Sequence, residues 1–258
     1  MNFLEQALSF IFTAANWGGP AGLTARILEH LQYTAIAVFF STVIAVPLGM
    51  IIGHTGRGTF LVVTGVNALR ALPTLGVLLL GVLLWGLGLI PPTVALMLLG
   101  IPPLLAGTYS GIANVDAAVV DAARSMGMTE SRILLRVETP NAMPLILGGL
   151  RTATLQIVAT ATVAAYASLG GLGRYLIDGI KVREFYLALV GALMVTALAL
   201  ILDAALAVAV WLSVPGSGRL AGRRAMPQPF LGDEVALESG SPDRSRSSCR
   251  SPTTATTV

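Results

Sequence analysis

Charged residues are scarce in this chain of 258 residues: Asp, Glu, Lys and Arg make up 11% of it, hydrophobic residues make up 55%, and the net charge is +3. Soluble globular domains carry about 25% charged residues, so the composition excludes an ordinary soluble domain and indicates a membrane protein. The single cysteine, Cys249, excludes an intrachain disulfide.

The N-terminal stretch is apolar, with Glu5 as its only charge before Arg26. Its large apolar residues recur at helical spacing, which predicts an amphipathic helix at the membrane interface within an N-terminal segment of residues 1–30. A cleaved signal peptide is the alternative, although the basic region that begins such peptides is lacking.

Five apolar stretches follow, each long enough to cross a bilayer, because a helix needs about 20 apolar residues to do so. Residues 71–115 contain no charge and are divided by a turn rich in Gly and Pro at 86–92. The sequence therefore predicts an all-α polytopic membrane protein with about five transmembrane helices, near residues 31–53, 70–88, 92–111, 143–166 and 185–212.

Basic residues in short loops predict which side of the membrane each loop occupies. Seven arginines share one side with the C-terminal end, and four basic residues lie on the other side. This excess predicts that the polar segment between spans three and four is cytoplasmic, together with the C-terminus. Residues 213–258 are rich in Ser, Arg, Pro and Thr, which predicts a disordered cytoplasmic tail.

The polar segment, residues 114–140, interrupts the apolar chain with a helix-prone sequence. Asn114 and Asp116 can cap an alanine-rich helix, and Gly127 permits a reversal. Thr129 can cap a second helix, which Pro140 is expected to stop. The sequence predicts a slim helical hairpin of a kind that can lie in a groove of another protein.

Six residues of this hairpin resemble, in register, the cytoplasmic signature of ABC importer permeases. They are Asp121, Ala122, Ala123, Gly127, Val137 and Pro140. Two positions depart from the signature, because Asp121 stands where glutamate is usual and Thr139 where leucine is usual. Residues 70–74, 109–116, 149–154 and 169–173 look like the osmoprotectant branch of that family, and the resemblance covers about residues 25–212.

This resemblance implies the transmembrane fold of a type I ABC importer in the inner (plasma) membrane. The chain would form half of a pathway for a small osmoprotectant such as glycine betaine, choline, carnitine or proline. Segment 121–140 would couple it to separate ABC ATPase subunits. A second permease, identical or different, would complete the pathway, and an extracytoplasmic substrate-binding protein would deliver the solute.

The chain itself is expected to be a transport subunit and not an enzyme, with no cofactor, no metal and no nucleic-acid partner. Its only lysine, Lys181, is followed by Val182, so the phosphate-binding loop of an ATPase is lacking.

His30 and His54 flank the first span, too far apart to share a metal, and are interpreted as interfacial anchors. The alternatives are an ABC permease for another small solute such as an amino acid, an ion-gradient-driven secondary transporter, for which no internal repeat is visible, and a membrane-embedded enzyme.

Two charges, Arg151 and Asp203, lie inside predicted spans four and five. Intramembrane charges are expensive and usually face protein or water. We hypothesise that they meet and hold the two spans together as structural intramembrane charges. The alternative is that each reaches the interface independently.

Gly170, Gly171 and Gly173 follow the fourth span. No strand precedes them, so a phosphate-binding loop is disfavoured, and the sequence predicts a flexible turn at the outer mouth beside the surface for the binding protein. Two glycine pairs at helical spacing predict close helix contacts: Gly49 with Gly53, and Gly107 with Gly111.

Overall fold

A computed structural model describes residues 2–167 and 170–213, and all regular secondary structure within those residues is helical, without strands. The predicted all-α membrane fold is confirmed. The predicted tail, residues 213–258, lies outside the described residues apart from Ser213. The helices are α1 (Phe3–Phe12), α2 (Leu23–Thr55), α3 (Thr59–Ala71), α4 (Thr74–Trp85), α5 (Ile90–Ala113), α6 (Ala117–Ser125), α7 (Glu130–Ile133), α8 (Thr139–Thr160), α9 (Gly173–Lys181) and α10 (Phe185–Ser213).

Four helical stretches of the described chain are long and apolar enough to cross a membrane. They are Leu23–Thr55, Ile90–Ala113, Glu130–Ala167 and Phe185–Ser213. The first begins well before residue 31, so residues 23–30 continue α2. The third is continuous because a π-helical turn, Leu134–Glu138, joins α7 to α8, and a 3₁₀ turn, Ala161–Ala167, extends it.

The predicted span at 70–88 is not among these four, whereas the other four of the five predicted spans are; the chain breaks at Leu72 and Pro73. Leu72 is extended, with φ −68° and ψ 128°, as the residue before a proline prefers. Helix α3 therefore ends at Ala71, and α4 has only 12 residues. At 1.5 Å per residue α4 is about 18 Å long, shorter than the roughly 30 Å hydrocarbon layer.

Helix α5 lies in the centre of the fold, against α2 on one side and α8 on the other. Glycines allow these approaches: a Cβ at Gly49 would stand 2.7 Å from the Thr108 Cβ, and one at Gly107 would stand 2.8 Å from the Gly149 Cα. Gly53 faces Ile112 in the same way. The predicted close packing at both glycine pairs is confirmed, and it fixes the three long helices relative to one another.

Helix α1 packs against the start of α10. Ala7 is fully buried with Leu23 and Val190, and the rings of Phe3 and Phe185 meet edge to face with centroids 6.0 Å apart. The other face of α1 leaves large apolar side chains exposed: Phe3, Leu4, Leu8 and Phe12. The predicted amphipathic helix is present, and its place at the membrane interface stays a prediction.

The polar segment forms the expected hairpin. The Asp116 carboxylate accepts the Ala118 N–H at 2.9 Å, Gly127 has φ +79°, and α7 follows Thr129. Asn114 instead closes the previous helix, donating to the Ser110 carbonyl at 2.7 Å.

Pro140 does not stop the second helix of the hairpin, and this prediction is wrong. Proline lacks the N–H that a helix interior needs, but Pro140 lies in the first turn of α8, where that N–H is not required. The π turn before it carries the chain from hairpin to span, with the Thr139 N–H directed to the Leu134 carbonyl.

Candidate coupling site and charge clusters

The six predicted coupling residues divide into displayed and supporting positions. Ala123 is only 2% exposed and forms a small core with Val120 and Ile133, which Val137 flanks. The other four lie at the surface: Asp121, Ala122, Gly127 and Pro140. The hairpin therefore has an interior of its own, which keeps its outer face rigid.

The outer face of α6 is apolar, a feature that the sequence analysis missed. Val119 is 44% exposed and Met126 is 75% exposed, with exposed Ala122 between them. Their i, i+3, i+7 spacing puts them on one side of the helix, and that spacing was readable in the sequence. An apolar patch on an otherwise polar hairpin is typical of a docking surface.

A charge cluster lies across the turn of the hairpin. Arg124 forms a bidentate pair with Glu130, Nε to Oε1 at 2.9 Å and Nη2 to Oε2 at 3.2 Å, and its Nη1 lies 3.2 Å from Asp121 Oδ1. The hydrogen bond to Glu130 raises the pKa of Arg124 above its ordinary value. Asp121 is thus engaged within the hairpin while its side chain stays exposed.

His54, in the last turn of α2, meets the hairpin from the membrane side. Its Nδ1 lies 2.7 Å from Glu138 Oε2, and its Nε2 lies 3.3 Å from Glu130 Oε2. The Glu138 side chain is only 6% exposed and that of His54 12%. His54 therefore contacts the buried carboxylate of Glu138. Its predicted role as an anchor at the membrane interface stays a prediction.

Arg151 of α8 and Asp203 of α10 meet as hypothesised. Two parallel contacts join them, Nε to Oδ1 at 2.5 Å and Nη2 to Oδ2 at 2.7 Å. Such fork-to-fork pairs are strong and fix geometry. About a third of each side chain is exposed, so the pair lies at a surface of the helix bundle.

The glycine turn lies at the opposite end of α2. The Glu29 carboxylate accepts the Gly171 N–H at 2.7 Å and the Arg26 Nη1–H at 2.9 Å. A Cβ at Gly170 would overlap both of those side chains, and one at Gly173 would overlap the Thr162 carbonyl. Gly171 and Gly173 are buried and closely packed, and the flexibility of the turn stays a prediction; Ser168 and Leu169 lie outside the described residues.

His30 lies beneath this turn and is fully buried, which corrects its interpretation as an interfacial anchor. Its Nε2 lies 3.0 Å from the Val158 carbonyl of α8. Since Glu29 and His54 stand near opposite ends of α2, the glycine turn and the hairpin are separated by about 38 Å of helix. Within the described part of the chain, no group of His, Cys, Asp and Glu could hold a metal ion.

Long apolar helices around a glycine-packed centre, with a polar hairpin at one end, define a multi-pass membrane transport protein. The chain belongs to the family of binding-protein-dependent transport system inner membrane components, whose model matches residues 45–210. It is accordingly a permease subunit of an ABC importer, a transport subunit located in the inner membrane.

Several curated relatives align over most of their length. The chain is 37% identical over 205 residues to the glycine betaine/carnitine/choline transport system permease protein OpuCB of Bacillus subtilis, covering 80% of this chain and 92% of that one. It is 35% identical to the choline transport system permease protein OpuBB of the same organism, covering 72% and 86%. It is 34% identical to the osmoprotectant import permease protein OsmY of Salmonella typhimurium, covering 74% and 85%.

Solved transporters share the fold at lower identity. An inward-facing structure of the MetNI methionine ABC transporter matches with a TM-score of 0.66 and 20% identity, covering 75% of this chain and 96% of that chain. An amino acid ABC transporter crystallised with histidines matches with a TM-score of 0.57 and 19% identity, covering 82% and 97%. These likenesses confirm the predicted type I importer fold.

Proposed function

We propose that this permease carries a small osmoprotectant such as glycine betaine, choline, carnitine or proline. The observation that carries the proposal is the identity of 34–37% to relatives named for such solutes, over more than two thirds of both chains. The solved amino-acid transporters are under 25% identical. They share the fold of this chain, and transport of an amino acid is the second candidate function.

The hairpin is the part that couples the chain to separate ATPase subunits. Its apolar outer face, Val119, Ala122 and Met126, supports docking into a groove of another protein. Its core around Ala123 makes it rigid enough to transmit a displacement. In this proposal Asp121, Gly127, Val137 and Pro140 shape the hairpin, while Ala122 is part of the contact.

The opposite end of the molecule, with Gly170, Gly171 and Gly173, faces the substrate-binding protein. The hairpin and the C-terminus are cytoplasmic, because the side that holds the hairpin carries the larger number of arginines. The separation of the two sites along α2 supports this sidedness, since one end of a spanning helix lies on each side of the bilayer.

The face of α8 that α5 and α10 leave uncovered lines the pathway. Apart from Leu145, which is exposed in the same row, it carries small and polar residues at helical spacing, either exposed or half-buried: Asn141, Gly148, Thr152, Gln156 and Ala159. The exposed residues of α10 include more large apolar side chains, among them Leu200, Ile201 and Val208, although Thr196 and three alanines are exposed there too. Because polar and charged groups avoid lipid, the α8 face and the adjacent Arg151–Asp203 pair are suited to a watery pathway completed by a second permease.

Uptake by a reconstituted complex tests the proposal. The permease would be assembled in proteoliposomes with its ATPase and binding protein. Labelled glycine betaine, choline, carnitine, proline, methionine or histidine would then be supplied in turn on the side of the binding protein. We expect ATP-dependent uptake of at least one osmoprotectant and none without the ATPase. Uptake restricted to the amino acids methionine and histidine, or driven by an ion gradient alone, would overturn it.

A further inference from the structure

His54 occupies an unusual electrostatic position at the end of α2. Both of its ring nitrogens face carboxylate oxygens, Nδ1 that of Glu138 and Nε2 that of Glu130. The shorter contact is a hydrogen bond with Glu138, and the longer one places the other side of the ring beside Glu130.

Burial makes the contact with Glu138 important. Glu138 is nearly inaccessible to solvent, and a buried carboxylate is costly unless it has a hydrogen-bond partner. Removal of the His54 side chain would leave Glu138 without this partner, whereas Glu130 would keep Arg124.

The two carboxylates bracket the point where the hairpin becomes a membrane span. Glu130 begins α7 and binds Arg124 of α6, while Glu138 ends the π turn that leads into α8. Turns of this kind inside helices are frequent at functional sites. Through His54, the hairpin is attached to α2 as well as to the two helices that it connects covalently, α5 and α8.

We propose that His54 is a positioning residue that makes α2 move together with the hairpin, through its contacts with Glu138 and Glu130. Because α2 packs along α5 through Gly49 and Gly53, a displacement of the hairpin then moves three long helices together. Without the attachment, α2 is left behind and ATP-driven motion reaches only part of the pathway. The inference rests on the coupling role proposed above for the hairpin.

Four charged residues surround His54. Glu130 and Glu138 contact it directly, and Arg124 and Asp121 act through Glu130. Three arginines at the same end, Arg57, Arg132 and Arg136, form no ion pair within the described residues.

The test measures solute imported per ATP hydrolysed, in the reconstituted complex supplied with glycine betaine, choline, carnitine or proline. His54→Gln should lower this ratio by about fivefold or more, the lower end of typical coupling between sites. His54→Arg, whose guanidinium can donate to both carboxylates, should restore the ratio.

Arg57→Gln is the matched control, since it removes a nearby charge that has no ion-pair partner among the described residues, and it should behave as wild type. An unchanged ratio in His54→Gln would overturn the inference, as would a ratio in His54→Arg no higher than that in His54→Gln. If His54→Gln fails to assemble, Glu138→Leu, which removes the other side of the same contact, takes its place and should lower the ratio in the same way. A wild-type complex that imports none of these solutes would instead refute the proposed function.

Discussion

At the scale of single residues, the charges of this chain are few, and several of them join distant parts of the fold. Inside the spans, Arg151 and Asp203 neutralise each other through two contacts. At the ends of α2, Glu29 secures the glycine turn and His54 secures the hairpin. Each of these contacts joins residues far apart in sequence, so the charges determine how the helices are aligned.

The Arg151–Asp203 pair gives a prediction at this scale. Arg151→Asp or Asp203→Arg leaves two like charges between α8 and α10, and we expect several-fold less folded subunit in the membrane, because unpaired intramembrane charges are costly. The double variant, with both residues exchanged, should recover most of the loss. Membrane yield and thermal stability in detergent measure the effect; a double variant no better than either single one means that direct pairing does not hold the helices.

Residue-level prediction from the sequence succeeded where a charge was conspicuous. Arg151 and Asp203 stand out because the spans around them are apolar, so each has few possible partners. The pairing of His54 with Glu138 was missed because a histidine next to a loop looks like an ordinary interfacial residue. Nothing local in the sequence indicates that the π turn directs Glu138 inward.

At the scale of elements, the hairpin and α8 carry the proposed functions. Hydrophobic runs and the Gly–Pro turn predicted the long helices, because bilayer thickness sets their length. The break at Pro73 was missed because residues 58–88 are apolar on both sides of it. The continuity past Pro140 was missed because a π turn depends on backbone geometry that residue types do not reveal.

The uncovered face of α8 gives the prediction at this scale. In a Cys249→Ser background, Thr152→Cys and Ala159→Cys should react with a hydrophilic thiol reagent in the assembled transporter, and the modification should block uptake. Val208→Cys and Leu200→Cys on α10 are the matched controls and should not react, because lipid covers them. Spontaneous disulfides between two copies at Thr152→Cys, without labelling, would mean that a second permease covers this face.

At the scale of the whole molecule, two specialised ends are joined by a tightly packed centre. Glycine contacts between α2, α5 and α8 leave little room for these helices to slide, and close packing transmits displacement. A movement imposed at the hairpin is therefore expected to shift the helices as bodies, as in other rigid-body switches. Composition alone predicted a membrane protein. How the packed helices join the two ends could be learned only from the three-dimensional structure.

The most direct measurement of the central claim, that the hairpin contacts the ATPase, is photo-cross-linking from its outer face. Met126→Cys in the Cys249→Ser background would be labelled with a benzophenone maleimide in the complete complex and irradiated. We predict a covalent product with the ATPase subunit from Met126→Cys, and none from Val182→Cys, which is exposed at the opposite end. A product of Met126→Cys with the substrate-binding protein, or labelling of this position from outside intact cells, would contradict the account.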